Sequence, residues 1–153
     1  MDKEITFPDK EPLTVTSRSP EGTFALGRKL GSSLKGGEVI LLSGPLGAGK
    51  TLFAKGIASA LGFDRDEVNS PSFTLVNEYD ADLTIYHIDL WRIEDPSNAA
   101  FSVGLEELIE EEGSVKVIEW AERIGDFSLP SDTIRVKISG DGDSDRQISI
   151  SRE

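Results

Sequence analysis

The chain has 153 residues, with 28 acidic and 16 basic side chains, a formal net charge of −12 and no cysteine. This length favours one domain, and the missing thiols exclude disulfides and thiolate metal sites. The excess of acidic residues makes direct binding to DNA or RNA unfavourable, because such binding depends mainly on Lys and Arg side chains that neutralise phosphates. The N-terminus lacks the profile of a secretory signal, and no apolar run approaches the roughly 20 residues of a membrane span. We therefore expect a cytoplasmic protein that contacts no membrane.

The N-terminal part of the chain is predicted to be a short edge strand, at residues 14–16, followed by a helix. Ser19 offers an N-cap, Pro20 fits the first helical position, and Glu21 adds an early acid. The apolar residues that this helix would carry are Phe24, Leu26, Leu30 and Leu34.

A strand, a glycine-rich loop and a second helix come next. Residues 38–43 form an apolar, partly β-branched run after Gly36 and Gly37, which is typical of a buried strand. The helix beyond the loop has apolar residues at four-residue spacing and a closing glycine: Phe53, Ile57, Leu61 and Gly62. Strand, loop and helix follow one another in the order that a phosphate-binding loop requires.

The loop itself, residues 44–51, reads Gly-Pro-Leu-Gly-Ala-Gly-Lys-Thr and matches the pattern Gly-x-x-x-x-Gly-Lys-Ser/Thr without a mismatch. Its glycines let the backbone turn and present amide hydrogens to a triphosphate. Lys50 would reach the β and γ phosphates, and Thr51 would place a hydroxyl on Mg²⁺ at the start of the helix. The predicted nucleotide-binding residues of this segment are Pro45, Leu46, Gly47, Ala48, Gly49, Lys50, Thr51 and Leu52.

The rest of the chain reads as strands and short helices. Two β-like runs, 73–79 and 83–89, are separated by three residues, a spacing that suggests an antiparallel hairpin. The later elements are a helix at 105–112, a strand at 115–119, a short helix at 120–124, and strands at 134–138 and 147–150 joined by a turn at 140–143. The pattern predicts an α/β fold: a single P-loop NTPase domain over residues 1–153, with a central mixed β-sheet flanked by helices and with antiparallel hairpins. Residues 1–10 and 141–153 could be flexible ends.

A phosphate loop needs an acid at the end of a neighbouring strand, since Mg²⁺ is held partly through carboxylates. Asp89 ends one β-like run and Glu119 ends another. Strand alternation places Asp89 on the same face as His87, the single histidine. Each acid could serve the metal or could cap the element that follows it, so the residues alone leave the choice open.

Three further segments accompany the loop. They are Ser-Pro-Ser-Phe-Thr-Leu-Val-Asn-Glu-Tyr at 70–79, His-Ile-Asp-Leu-Trp-Arg at 87–92 and Val-Ile-Glu-Trp-Ala-Glu-Arg-Ile at 117–124. With the loop, and in this order, they resemble the TsaE family, bacterial P-loop ATPases of tRNA threonylcarbamoyladenosine (t6A) synthesis. The resemblance spans about residues 37–125 and implies ATP and Mg²⁺ as cofactors.

The resemblance also implies roles for individual residues. Lys50 and Thr51 match the phosphate and magnesium residues, and Asp89 matches an acid essential to ATP turnover. Glu119 and Trp120 match a Glu-Trp pair at the nucleotide site, with the carboxylate near the metal. The implied catalytic set is Lys50, Asp89 and Glu119, and the implied metal set is Thr51, Glu119 and Asp89.

Two positions depart from the family pattern. The chain has Ser72 where threonine is usual and Trp91 where tyrosine is usual. Serine keeps a hydroxyl, so a residue such as Ser72 or Thr74 could still sense the γ phosphate. Trp91 lacks the phenol hydroxyl, which puts any role of that group in doubt. The roles of His87, Trp91 and Arg92 stay open.

The implied function is a weak ATPase that acts as an accessory subunit to TsaD and TsaB, stimulated by them, and that meets tRNA only indirectly. A small-molecule kinase is the alternative because it shares the loop and the size, although the chain has no arginine cluster after the loop for a phosphate lid. A GTPase would need an Asn-Lys-x-Asp segment, which is absent. The non-enzymatic alternative is a binding module that holds ATP without hydrolysing it.

Overall fold

The computed structural model describes residues 12–45, 47–69, 76–90, 104–123, 129–130 and 132–152. The strands are β1 (Leu13–Ser17), β2 (Val39–Ser43), β3 (Val76–Tyr79), β4 (Thr84–Asp89), β5 (Ser114–Glu119), β6 (Ile134–Ser139) and β7 (Arg146–Arg152). The helices are α1 (Pro20–Gly31), α2 (Lys50–Ala60) and α3 (Leu105–Ile109), with 3₁₀ turns at Arg65–Glu67 and Ala121–Arg123. The α/β class predicted from the sequence is confirmed.

The strands form one mixed sheet in the order β1-β7-β6-β2-β5-β4-β3. Its centre, β6-β2-β5-β4, is parallel. The strands β3, β7 and β1 pair antiparallel with their neighbours, which confirms both hairpins and the edge position of β1. β7 lies within the segment 141–153 and pairs with both β1 and β6. The predicted flexible end at 1–10 and the predicted start of β3 at 73–75 lie outside the described residues.

Two helix ends differ from the prediction. α1 begins as expected, with the Ser19 hydroxyl accepting a hydrogen bond from the Gly22 amide at 3.0 Å, but it ends at Gly31, so Leu34 lies beyond it. The hydroxyls of Ser32 and Ser33 donate to the carbonyl oxygens of the last helical turn, which satisfies those carbonyls without further helix.

α3 is also shorter than predicted and stops at Ile109 instead of residue 112. Consecutive glutamates at 110–112 would place like charges at the helix C-terminus, where the helix dipole already disfavours negative charge. The segment therefore leaves the helix early.

Each face of the sheet has its own apolar core. On one face α1 and α2 cover β2, β5, β6 and β7, with Leu30, Phe53 and Ile57 fully buried. The two helices approach closely at Gly27, where an added Cβ would lie 2.3 Å from the Phe53 carbonyl oxygen. On the other face α3 packs against Ile88 and Ile118.

This architecture brings the carboxyl ends of β2, β4 and β5 to one edge of the sheet, where α2 begins. Ligands of open parallel α/β sheets bind at this kind of edge. Among the helices of the described part of the chain, none is long and apolar enough to cross a bilayer.

Candidate nucleotide site

The glycine-rich loop adopts backbone conformations that require glycine. Gly44, Gly47 and Gly49 have φ values of 146°, 81° and 112°. A Cβ on Gly44 would lie 2.3 Å from the Ile138 carbonyl oxygen, whereas a Cβ on Gly47 would meet nothing within 4 Å. Packing therefore demands glycine at the first position and backbone geometry demands it at the second. A left-handed glycine turn that opens a helix is the form in which amides cradle phosphates.

Lys50, the first residue of α2, is 5% exposed and folds back over the loop. Its Nζ donates to the carbonyl oxygens of Gly44 at 2.5 Å and Pro45 at 2.9 Å, and lies 3.8 Å from the ring centroid of Trp120. Burial lowers the pKa of the Lys50 amine, and the negative charges of nearby carboxylates act in the opposite direction. Those carboxylates belong to Glu122, Glu119 and Asp89.

The Thr51 hydroxyl donates to the Glu119 carboxylate, at 2.9 Å from Oε1 and 3.1 Å from Oε2. Glu119 is the last residue of β5 and is 2% exposed, so its carboxylate is held at the carboxyl edge of the sheet. Threonine hydroxyl and strand-end carboxylate are oxygen ligands of the kind that Mg²⁺ takes in phosphate-loop proteins. The Thr51 hydroxyl and the Glu119 carboxylate are therefore in direct contact.

Asp89 ends β4 and pairs in register with Glu119, so both acids lie on the same face of adjacent parallel strands. Its charge also acts on Lys50. Within the described residues no group of three or more His, Asp or Glu side chains could enclose a metal by itself. One or two carboxylates completed by phosphate oxygens and water is the usual arrangement for Mg²⁺, and these residues fit it.

Trp120 follows Glu119 with a left-handed backbone, at a φ of 58°. The prediction of a helix starting at this residue is therefore wrong, and the 3₁₀ turn begins at Ala121. Such a φ is rare for a bulky side chain and marks a constrained position. It accompanies the placement of the indole ring over the Lys50 amine, a cation–π contact.

Two further residues contact the loop, and neither was assigned a role from the sequence, although Glu122 lies within the segment 117–124. The Glu122 carboxylate accepts from the Gly44 amide at 3.1 Å. Arg146, at the start of β7, donates to the carbonyl oxygens of Ala48 at 3.0 Å and Gly47 at 3.2 Å. Arg146 therefore contacts the outside of the loop, although it lies 98 residues further along the chain than Ala48.

A cleft of about 260 Å³ adjoins the loop. Gly47, Ala48, Gly49 and Leu52 form one wall, and the segment before α1 and the β6–β7 turn form the others. The predicted site residues that the structure describes lie along the loop or at this edge of the sheet. Five residues singled out from the sequence lie outside the described residues: Leu46, Ser72, Thr74, Trp91 and Arg92.

Comparison with known proteins gives concordant results. The family model described as "Threonylcarbamoyl adenosine biosynthesis protein TsaE" matches residues 17–148. The chain is 41% identical over 133 residues to the tRNA threonylcarbamoyladenosine biosynthesis protein TsaE of Bacillus subtilis, covering 86% of this chain and 80% of that protein. It is 38% identical over 138 residues to the protein of the same name from Treponema pallidum, covering 90% and 99%.

A solved structure agrees with these matches. The crystal structure of Bacillus subtilis YdiB superposes with a TM-score of 0.74 at 34% sequence identity, covering 93% of this chain and 86% of that chain. Since the family model spans most of the sequence and the relatives are matched over most of their length, the chain belongs to the TsaE family.

Proposed function

We propose that this protein binds Mg-ATP at the glycine-rich loop and hydrolyses it, as the ATPase component of t6A synthesis in tRNA. The observation that carries the proposal is the contact between the Thr51 hydroxyl and the Glu119 carboxylate, at 2.9 and 3.1 Å, directly after a loop of left-handed glycines. This contact supports a magnesium position between the start of α2 and the end of β5.

The charges around Lys50 favour the magnesium complex over the free nucleotide. One buried lysine is faced by three carboxylates, those of Glu119, Glu122 and Asp89. A triphosphate entering this site without a cation would be repelled, because Coulomb forces act strongly where water is partly excluded. A bound Mg²⁺ would supply the positive charge that offsets the acids and the phosphates.

The residues of the site divide into three roles. Lys50 exchanges its two carbonyl partners for phosphate oxygens and stabilises the charge that develops on them. Thr51 and Glu119 hold the metal, and Asp89, one strand further along the edge, orients the attacking water. The cleft beside Leu52 takes the nucleoside.

The biological role rests on the family. Relatives that share about two fifths of the sequence carry the name tRNA threonylcarbamoyladenosine biosynthesis protein. We assign this chain the same process, with TsaD and TsaB as partners. A net charge of −12 makes direct tRNA binding by the isolated chain unfavourable, so contact with tRNA runs through the partners.

The deciding experiment combines binding and turnover. Calorimetry is performed with Mg-ATP, Mg-GTP, and ATP with excess chelator, and phosphate release is measured for the protein alone and with TsaD and TsaB. We expect heat with Mg-ATP but not with chelated ATP, and phosphate release that the partners increase.

Two results would contradict the proposal in different ways. No binding by the folded protein or by its complex would remove the nucleotide site altogether. Transfer of the γ phosphate to a small acceptor instead of to water would support the kinase alternative.

A further inference from the structure

A chain of hydrogen-bonded polar groups, buried at its Glu119 end, runs away from the loop. The Nε2 atom of His87 lies 2.5 Å from Glu119 Oε2, and the Nδ1 atom lies 2.8 Å from the Tyr79 hydroxyl. The Asn69 amide donates to that hydroxyl at 3.3 Å, and the Asn69 carbonyl oxygen lies 2.9 Å from it. Asn77 Nδ2 donates to the same carbonyl at 3.0 Å. Because His87 is 1% and Tyr79 6% exposed, water competes little with the bonds that join Tyr79, His87 and Glu119.

One hydroxyl joins His87 to the main chain. The Tyr79 hydroxyl has a single hydrogen and two acceptors within reach, the Asn69 carbonyl oxygen at 2.9 Å and, in one tautomer of the ring, His87 Nδ1 at 2.8 Å. Its oxygen accepts from the Asn69 amide, and the Asn69 carbonyl oxygen also accepts from Asn77 Nδ2. His87 bonds Tyr79 through Nδ1 and Glu119 through Nε2, so Tyr79 and His87 form a relay between the main chain at Asn69 and the Glu119 carboxylate.

We propose that Tyr79 and His87 are positioning residues for the Glu119 carboxylate, and that through them the main chain at Asn69 influences the affinity of the metal site. The proposal rests on the proposed function, since Glu119 matters here as a ligand or close neighbour of Mg²⁺. His87 engages Oε2, so the carboxylate cannot rotate freely and Oε1 stays 2.9 Å from the Thr51 hydroxyl. Partners behind a metal ligand are known to fix its orientation in this way.

The hydroxyl of Tyr79 can be tested apart from its ring. The ring stacks on Phe63 with centroids 4.6 Å apart, a contact that phenylalanine would keep. Tyr86 is the chain's only other tyrosine and is the neighbour of His87 in β4, so its side chain points to the opposite face of the sheet. There the carboxylates of Glu111 and Glu78 raise the pKa of its hydroxyl, which takes no part in the relay. Tyr86→Phe is therefore a matched control for Tyr79→Phe.

The first measurement needs neither metal nor nucleotide. His87 is the only histidine, so its two ring nitrogens can be read directly by ¹⁵N NMR. We expect the same Nδ1 resonance in the wild type and in Tyr86→Phe, and a shifted Nδ1 resonance in Tyr79→Phe, where this nitrogen has lost its hydrogen-bond partner. An unchanged Nδ1 resonance in Tyr79→Phe would overturn the relay, whatever the protein does with ATP.

The second measurement concerns the metal. Mn²⁺ binding in the presence of ADP, followed by electron paramagnetic resonance, should weaken about tenfold in Tyr79→Phe and stay unchanged in Tyr86→Phe. Amide exchange at Asn69 should slow on addition of Mg-ADP in the wild type and respond less in Tyr79→Phe. Equal Mn²⁺ affinity in all three proteins would overturn the positioning role while leaving the proposed function intact. No Mn²⁺-ADP binding by the wild type would overturn the proposed function and the metal part of this inference together.

Removing both members of the relay separates it from general packing. Tyr79→Phe in combination with His87→Leu should bind Mn²⁺-ADP no more weakly than His87→Leu alone, because both residues act through one carboxylate. Additive losses would contradict a shared path. If His87→Leu fails to fold, the Tyr79→Phe measurements still decide.

Discussion

Two buried lysines, Lys50 and Lys116, lie at different ends of the sheet's parallel strands and make similar contacts for different reasons. They are 5% and 0% exposed, and burial lowers the pKa of each amine. Each amine donates to main-chain carbonyl oxygens. These are the oxygens of Gly44 and Pro45 for Lys50, and of Glu111 and Ser114 for Lys116.

Their surroundings differ. The carboxylates that act on Lys50 come from the ends of β4 and β5 and from the turn beyond, next to a loop of left-handed glycines. The negative charges of Glu111 and Glu38 act on Lys116. Both carboxylate oxygens of Glu38 already accept hydrogen bonds, from the main-chain amides of Lys35 and Gly36. A buried lysine with a lowered pKa is therefore not a site by itself. The convergent acids and the glycine-rich loop beside Lys50 are what support the functional role proposed for it, and Lys116 lacks this glycine-rich loop.

The largest expected effect separates the two lysines by activity. Lys50→Ala should fold and slow ATP hydrolysis by about a hundredfold or more, near 3 kcal/mol, because it removes a charge that stabilises the transferring phosphate. Lys116→Met should hydrolyse ATP at the wild-type rate, as measured by phosphate release under saturating Mg-ATP. Comparable losses in both variants would mean that the contrast between the two ends of the sheet is wrong.

The second effect distinguishes the two strand-end acids near Lys50, Glu119 and Asp89. Glu119→Gln should raise the Mg²⁺ concentration needed for half-maximal hydrolysis about tenfold or more. The substitution replaces the carboxylate that contacts Thr51 with a neutral amide, which binds Mg²⁺ more weakly. Asp89→Asn should lower the maximal rate about a hundredfold with a smaller change in the Mg²⁺ requirement. Magnesium titrations of the hydrolysis rate check both, and the opposite pattern would exchange the two roles.

The third effect concerns stability at the other lysine. The folded-state pKa of Lys116 lies below its ordinary value of 10.5, so between these two pKa values the unfolded chain binds more protons than the folded one. The free-energy cost of burying the charged Lys116 amine is fully present below the folded-state pKa and disappears as the pH rises toward 10.5. We expect wild-type stability to rise relative to Lys116→Met across that window, by urea denaturation at several pH values.

Comparison with Lys116→Met is needed because other groups titrate in the same range. Burial raises the pKa of Tyr79, and hydrogen bonding to Glu111 raises that of Tyr86, so both tyrosines lose stabilisation as the pH rises. These contributions are common to both proteins and cancel in the difference. A difference that stays flat up to pH 10.5 would contradict a lowered pKa for Lys116.

The smallest effect is expected at Glu122. Glu122→Gln removes an exposed negative charge near Lys50 and weakens the hold on the Gly44 amide, so Mg-ATP should bind about threefold more tightly. Glu111→Gln, which removes the corresponding charge near Lys116, should leave the affinity unchanged. Calorimetry measures both, and weaker binding by Glu122→Gln would show that this carboxylate assists the nucleotide instead of competing with it.

The sequence predicted most of the frame because its signals are local. The loop at 44–51 lies between an apolar strand and a helix with four-residue spacing, and the hairpin β6–β7 follows from alternating residues around a Gly-Asp turn. Helix ends were less certain, since Ser32 and Ser33 could either extend α1 or satisfy its last carbonyls, and the structure has them do the latter.

By itself the sequence determined the α/β class, the phosphate loop with Lys50 and Thr51, and the two strand-end acids, because each depends on residues close together in the chain. Only the tertiary structure decided which distant residues form hydrogen bonds: Glu119 with Thr51, His87 with Glu119 and Tyr79, and Arg146 with the loop. Periodicity tells which face of a strand a side chain occupies. It does not give the order and register of strands in the sheet, and these set which distant side chains come within hydrogen-bonding distance.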